Sequence, residues 1–165
     1  MAGRDNRVIG AGGEGLWDGP ERARRQAALG IHIPPGLVLE REEIEFCQRL
    51  LARYPDVAPI DVMRWLPLGD QGPVTGKRRP SYDFRWLTLD GRSYELKSPR
   101  SADYDAVKNR VKDDLAKGKT RFVVDLGLKS ASPDLIRLLE RYKAKRGIDV
   151  LIIMANNGSD LITTV

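Results

Sequence analysis

The sequence predicts a single α/β domain with a mixed central sheet flanked by helices. Segments with helical periodicity alternate with predicted strands along most of the chain, an order that is typical of such a sheet. Two of the strands, 120–126 and 148–154, are nearly continuous apolar runs, as expected of strands covered on both faces. A hairpin after the first long helix adds antiparallel strands, and 165 residues suit one domain with a modest core.

The N-terminal part differs in composition from the rest of the chain. Residues 1–19 are rich in glycine and arginine, and 20–29 could form a short basic helix before the rigid connector at 33–36. We therefore predict a flexible basic N-terminal segment over 1–36 and the α/β domain over 37–165.

The first long helix is predicted over 40–54. Its apolar face has spacings of 3, 4 and 3 and consists of Ile44, Cys47, Leu51 and Tyr54. Glu43 and Glu40 fall near this face, where a carboxylate is costly to bury without a partner. Acidic residues also favour the first turn of a helix through its dipole, so a functional and a structural interpretation of these glutamates both remain open.

The other elements follow from spacing and from capping residues. A short strand is predicted over 62–66. Helices are predicted over 101–117, with Ser101 as the N-cap, and over 133–146, with Ser132 or Pro133 at the start and a glycine after the end. The C-terminal residues 161–165 are expected to pair back on the preceding strand.

The hairpin has predicted strands 81–88 and 92–98 around an Asp-Gly turn. A two-residue turn would mix charged and apolar side chains on both faces. A three-residue loop over 89–91, with Gly91 in the left-handed conformation, separates them. Because a slip of one residue moves every side chain to the other face, this separation sets the register, and we predict the three-residue loop.

In that register Asp83 lies opposite Lys97 and Arg85 lies opposite Glu95. The other face is apolar or aromatic: Phe84, Trp86, Tyr94 and Leu96. Two carboxylates near a backbone carbonyl suit a hard divalent cation. A lysine beside them can orient a metal-bound water or assist its deprotonation, which suits hydrolysis of a phosphodiester.

Composition narrows the class of function. The net charge of +5 favours an anionic partner, nucleic acid first. A single cysteine excludes an internal disulfide, and one cysteine with one histidine cannot form a conventional structural zinc site. No apolar run approaches the roughly 20 residues of a membrane span, so we expect no membrane partner.

The order of these residues resembles a known superfamily. Asp83, the Asp-Gly hairpin, Glu95-Leu96-Lys97, and then a helix and an apolar strand resemble the PD-(D/E)xK nucleases. More narrowly, residues 94–99, the basic helix and 121–126 are similar to the C-terminal tRNase toxin domains of contact-dependent growth inhibition proteins of the CdiA type. The resemblance covers about 40–154 and implies a PD-(D/E)xK nuclease-like fold.

The resemblance implies roles for individual residues. Asp83, Glu95 and the Leu96 carbonyl would hold a divalent cation (Mg, Mn or Zn), and Lys97 would position or activate the nucleophile. Glu43 would complete the site, with Glu40 as the alternative. No small-molecule cofactor is expected.

Basic residues offer candidate contacts to nucleic acid. Lys77, Arg78 and Arg79 precede the hairpin, where they could grip phosphates or form a solvated loop. Lys108 and Lys112 lie on the basic side of the helix after the hairpin, which is either a substrate contact or an exposed charged face.

The expected function is metal-dependent hydrolysis of RNA, tRNA favoured, by a growth-inhibiting toxin domain. The alternatives are a DNA endonuclease of a phage or mobile element, and a catalytically inactive nucleic-acid-binding module. A toxin would act in the bacterial cytoplasm, with delivery from a larger secreted protein as one route. Its immunity protein would be acidic, because this chain is basic.

Overall fold

The computed structural model of the chain describes residues 17–67, 73–74, 77–78, 81–157 and 160–165, with the backbone alone at 73–74, 77–78, 157 and 160–163. Within these ranges no helix combines the length and the apolar character that are needed to cross a membrane.

A six-stranded mixed sheet forms the centre of the described chain, which confirms the predicted fold class. The strands are β1 (Met63–Trp65), β2 (Pro73–Val74), β3 (Lys77–Arg78), β4 (Phe84–Trp86), β5 (Ser93–Lys97), β6 (Arg121–Asp125), β7 (Val150–Asn157) and β8 (Asp160–Thr164). The sheet order is β1-β4-β5-β6-β7-β8, and β2 pairs with β3 apart from it. β5, β6 and β7 are parallel, while β1, β4 and β8 join antiparallel, β8 as the predicted return strand.

Helices cover both faces of the sheet. They are α1 (Gly19–Ala27), α2 (Arg41–Leu51), α3 (Tyr104–Ala116) and α4 (Pro133–Arg146). One buried cluster joins α2 to the apolar hairpin face and to Val123 of β6. The other joins α3 and α4 to Phe122 and Val124 of the same strand. β6 is therefore buried on both sides, as its apolar run predicts.

Capping residues fix the helix starts. Ser132 caps α4, since its hydroxyl accepts the Leu135 N–H at 3.0 Å, as predicted. For α3 the predicted cap Ser101 is wrong. Asp103 is the N-cap, because its carboxylate accepts the Ala106 N–H at 2.9 Å and Ser101 donates its hydroxyl to that carboxylate.

The apolar face of α2 is broader than predicted. Ile44 and Cys47 are buried as expected, and Phe46 and Leu50 are fully buried too. Leu51 and Tyr54 are only half-buried. Phe46 and Leu50 are four residues apart and therefore widen the apolar stripe on one side, so the buried face of the helix is displaced slightly from the predicted one.

An ion pair ties α2 to the end of β6. The Arg49 guanidinium donates to the carboxylate of Asp125, which is 4% exposed. Asp125 also accepts the N–H of Gly127 at 2.9 Å. Burial raises the pKa of Asp125, although Arg49 opposes this. The carboxylate therefore depends on Arg49 to remain charged in the interior.

Helix α1 confirms the short basic helix predicted within 20–29. Its Gln26 side chain donates to the Leu37 carbonyl at 2.9 Å and accepts the Leu39 N–H at 2.7 Å. Arg22 forms a salt bridge to Glu40 at 3.1 Å. These contacts attach α1 to the chain just before α2.

The hairpin register differs from the prediction by two residues. Phe84 pairs with Tyr94 and Arg85 pairs with Ser93, so the three-residue loop is wrong and the loop is longer. The Trp86 N–H donates to the Arg92 carbonyl at 3.0 Å, which leaves 87–91 in the turn. Gly91 has a φ of 71°, the left-handed conformation expected. A shift of two preserves the faces, so the separation of charged from apolar side chains is confirmed.

Candidate active site

Asp83 lies at the end of the hairpin pairing, next to Glu95 of the neighbouring strand, whose charge acts on its carboxyl. The sequence predicted Lys97 opposite Asp83, but the observed register pairs the adjacent Phe84 with Tyr94, so that prediction is wrong. The Asp83 N–H donates to the Tyr94 carbonyl at 3.0 Å, and its Oδ2 accepts the Leu96 N–H at 2.8 Å. The backbone of the neighbouring strand thus fixes both the main chain and the carboxylate of Asp83.

Alternation along β5 determines which residues reach the site. Tyr94 and Leu96 pack in the cluster under α2. Glu95 and Lys97 alternate with them along the strand and therefore face α3. Glu95 is only 7% exposed, so its charge requires partners in the interior.

Those partners form a closed set of ion pairs, here called the ion-pair ring: Glu95, Lys97, Asp114 and Lys119. The Lys97 ammonium donates to Glu95 Oε2 at 3.2 Å and to Asp114 Oδ2. The Lys119 ammonium lies 2.9 Å from Glu95 Oε1 and 3.3 Å from Asp114 Oδ1. Each carboxylate oxygen therefore faces one ammonium of the ring, and the formal charge of the ring is zero. The exposed Lys117 ammonium also lies 3.8 Å from Asp114 Oδ1.

The last turn of α3 and the loop after it supply half of this ring. Asp114 lies on the buried side of α3 with Val107 and Val111. The Lys119 N–H donates to the Asp114 carbonyl at 3.0 Å, so the loop folds back over the end of the helix. This brings Lys119 to the same side of Glu95 as Asp114.

The carboxylates of Asp83, Glu95 and Glu43 repel one another. Burial, followed by the charge of Glu95, raises the pKa of Asp83 to about 7, and the Leu96 N–H opposes this only partly. Glu43 contributes to the same effect, and its own pKa is raised by burial. Glu43 also accepts the Glu40 N–H at 2.7 Å and so caps α2. Negative charge at Asp83 is therefore incompletely compensated by the protein.

In the ion-pair ring, by contrast, neighbouring groups of opposite charge favour the charged forms of Asp114 and Lys119. Burial alone would raise the pKa of Asp114, but the ammonium groups of Lys97 and Lys119 hold it below its usual value. Burial alone would lower the pKa of Lys119, but Glu95 and then Asp114 raise it. Asp114 and Lys119 therefore each favour their charged form in this environment.

The donor set at Asp83 fits a hard cation. In the described part of the chain, no three histidine, cysteine or acidic side chains are grouped closely enough to hold a metal. Mg²⁺ needs only one or two protein carboxylates, because waters and substrate phosphates complete its shell. Asp83 and Glu95 would supply these two carboxylates, and a cation would relieve the repulsion that raises the pKa of Asp83.

The structure describes the side chains of two of the five predicted nucleic-acid contacts. The Lys108 ammonium lies 5.4 Å from the centre of the Tyr104 ring, and Lys112 is exposed. Lys77 and Arg78 are described by backbone alone, as β3, and Arg79 lies outside the described residues. Their roles remain predictions.

Asp114 and Lys119 are the site residues that the sequence prediction missed. Asp114 continues the spacing of Val107 and Val111, and an acid at a buried helical position signals a required partner. Lys119 carries no comparable signal, because it lies beyond the glycine that ends the helix.

Comparisons with known proteins give little beyond this geometry. No protein-family model matches the chain, and no curated protein matches it at a significant level. A solved structure of a CdiA-CT/CdiI toxin and immunity complex from Burkholderia pseudomallei is similar to it, with 18% identity and a TM-score of 0.42. The match covers 82% of this chain and 94% of that one. We draw the function from the side chains of the site and not from this likeness.

Proposed function

We propose that the chain is a metal-dependent nuclease that hydrolyses phosphodiester bonds in RNA, with tRNA as the favoured substrate. The observation that carries this proposal is the proximity of the Asp83 and Glu95 carboxyl groups, with Lys97 bound to Glu95. Two neighbouring carboxylates, of which Asp83 has incompletely compensated charge, and one adjacent ammonium are the groups that this hydrolysis needs.

Asp83 and Glu95 would hold the cation, together with the Leu96 carbonyl, and Glu43 would support them. When bound, a divalent ion supplies Lewis acidity, which polarises a phosphate oxygen and lowers the pKa of a bound water. The Lys97 side chain is 17% exposed, so its ammonium can donate to a water at the mouth of the site. Lys97 would thereby orient the attacking oxygen.

The choice of tRNA and the role as a growth-inhibiting toxin rest on the sequence resemblance of 94–99 and 121–126 to the CdiA type of toxin domain. The net charge of +5 agrees with a nucleic-acid substrate of either kind. An acidic immunity protein is the expected partner, and action would take place in the bacterial cytoplasm after delivery from a larger protein.

A cleavage assay tests the site. Purified protein is incubated with total tRNA or plasmid DNA in Mg²⁺, Mn²⁺, Zn²⁺ or EDTA, and Glu95→Gln and Lys97→Met are compared with wild type. Glu42→Gln is the matched control, because Glu42 is an exposed neighbour of Glu43 on the same helix. We expect tRNA cleavage that needs metal, is lost in both site variants and persists in the control.

The other outcomes are equally informative. Cleavage of DNA alone, with the same metal and residue dependence, would support the proposed active site but show that the substrate is DNA. Binding of nucleic acid that EDTA leaves unchanged, without any cleavage, would show that the chain is a binding module and not a nuclease. A chain that does not arrest growth when it is expressed in bacteria, despite cutting tRNA in vitro, would contradict the toxin role.

A further inference from the structure

The ion-pair ring contains two side chains to which the proposed function gives no task. Asp114 comes from α3 and Lys119 from the loop after it, and neither belongs to the hairpin that carries Asp83 and Glu95. Both are at most 9% exposed. Burying two further charges beside a catalytic pair is costly unless their geometry is needed or well compensated.

The ring restricts the motion of the catalytic lysine. Lys97 is held between Glu95 and Asp114, so its ammonium is fixed from two directions. Without Asp114 the flexible lysine stem would be free to move toward Glu95 or toward solvent. Asp114 thus sets the position of the Lys97 ammonium.

Lys119 has the corresponding effect on Glu95. It donates to Oε1 while Lys97 donates to Oε2, so the plane of the carboxylate is determined by two cations. The loop that carries Lys119 is itself anchored, because the next residue, Thr120, donates its N–H to the Tyr82 hydroxyl at 3.1 Å. Tyr82 immediately precedes Asp83, so this anchor joins the two halves of the site.

A stacking contact strengthens the same anchor. The Arg121 guanidinium lies 4.6 Å from the centre of the Tyr82 ring. Contacts on both sides of Lys119 therefore hold it in place: the end of α3 before it and Tyr82 after it.

We propose that Asp114 and Lys119 are positioning residues of the active site: Asp114 holds the Lys97 ammonium in place for the attacking water, and Lys119 orients the Glu95 carboxylate. This inference rests on the proposed function. It adds a second half to the site, supplied by α3 and its following loop.

The kinetic test compares Asp114→Asn with Asp113→Asn, the exposed neighbour on the same helix. Misplacing a catalytic group by about 1 Å can cost roughly 100-fold in rate, so we expect kcat on tRNA to fall by about that factor while KM changes by less than about threefold. A role confined to folding would change the melting temperature without this division between kcat and KM. Asp113→Asn should match wild type.

A readout independent of activity follows the lysines directly. The ¹⁵N signals of lysine ammonium groups become observable when ion pairing and burial slow their exchange with water, so Lys97 and Lys119 should give signals in metal-free protein. Asp114→Asn should remove or shift both, and Asp113→Asn should leave both unchanged. Unchanged signals in Asp114→Asn would overturn the proposed positioning.

A double variant tests the same inference without leaving an unpaired buried charge that could prevent folding. Asp114→Asn with Lys119→Gln removes one negative and one positive charge and leaves the Glu95–Lys97 pair, so the buried charge remains balanced. We expect it to fold and to show the same loss of kcat. A wild-type kcat in either folded variant, with Glu95→Gln inactive, would overturn this inference and leave the nuclease intact. A wild-type protein that cuts neither RNA nor DNA would overturn the proposed function and this inference with it.

Discussion

Replacing Asp83 with asparagine should stabilise the metal-free protein at high pH, although it should abolish activity. The carboxyl has a pKa of about 7 in the folded protein against an ordinary value of 3.8, chiefly because of burial and the charge of Glu95. Asparagine keeps an oxygen that can accept the Leu96 N–H and removes the charge. The substitution therefore separates the cost of the charge from the value of the hydrogen bond.

The sign and the size of the effect follow from proton linkage. The folded state holds the Asp83 proton more tightly than the unfolded chain does. The stability that this proton contributes is therefore fully present below about pH 4 and is lost as the pH rises through about 7. Each pKa unit is worth about 1.4 kcal/mol, so the difference between 3.8 and about 7 corresponds to about 4 kcal/mol. Because the nearby acids share this titration, we expect a gain of about 2 to 4 kcal/mol for Asp83→Asn at pH 8.

Urea unfolding in EDTA measures this gain. The buried Trp65 and Trp86 report the transition by fluorescence, and wild type is compared with Asp83→Asn at pH 4.5 and pH 8. Asp56→Asn, at an exposed position, is the control for loss of a negative charge. An Asp83→Asn protein that is less stable than wild type at pH 8, or a difference that is the same at both pH values, would refute the reasoning.

Three further outcomes are expected. Mg²⁺ at 100 times its dissociation constant should stabilise wild type by about 2.7 kcal/mol, and Asp83→Asn much less, as measured by urea unfolding at pH 8. Arg49→Met leaves the buried Asp125 carboxylate without its cation, so the free energy of unfolding should fall by about 3 kcal/mol in the same assay at pH 7; an unchanged value would show that Asp125 needs no partner. Gly91→Ala should lower stability by about 1 kcal/mol, because its φ of 71° disfavours a Cβ; a melting temperature equal to that of wild type would contradict this.

The hairpin shows what the sequence encodes and what it leaves open. Alternation of charged and apolar residues fixes which face a side chain occupies, and this part of the prediction is correct. Alternation does not distinguish registers that differ by two residues. The loop chemistry decides between them: Asp90 accepts the Arg92 N–H at 2.9 Å and the Tyr94 hydroxyl at 2.6 Å, which stabilises a longer turn.

The part of the site formed by Asp114 and Lys119 could not be predicted from the sequence for a different reason. The helix pattern places Asp114 on a buried face, but periodicity alone does not say whether an acid there has a partner. Its partners are Lys97, on a strand 17 positions earlier, and Lys119, whose place depends on how the loop returns over the helix end. Such contacts depend on tertiary packing, and local sequence does not reveal them.

The distribution of charge explains why a cation would bind beside the ring and not within it. Glu95, Lys97, Asp114 and Lys119 neutralise one another. Each carboxylate oxygen can accept two partners, so Glu95 could keep its lysines and share an oxygen with a cation at Asp83, whereas a metal between Glu95 and Asp114 would have to displace an ammonium. Asp83 instead carries a charge that the protein leaves partly uncompensated, as its raised pKa shows. A divalent ion gains most where repulsion between carboxylates is greatest. The side of Glu95 that faces Asp83 is therefore where metal and substrate should meet, with the ring behind it holding Lys97 in place.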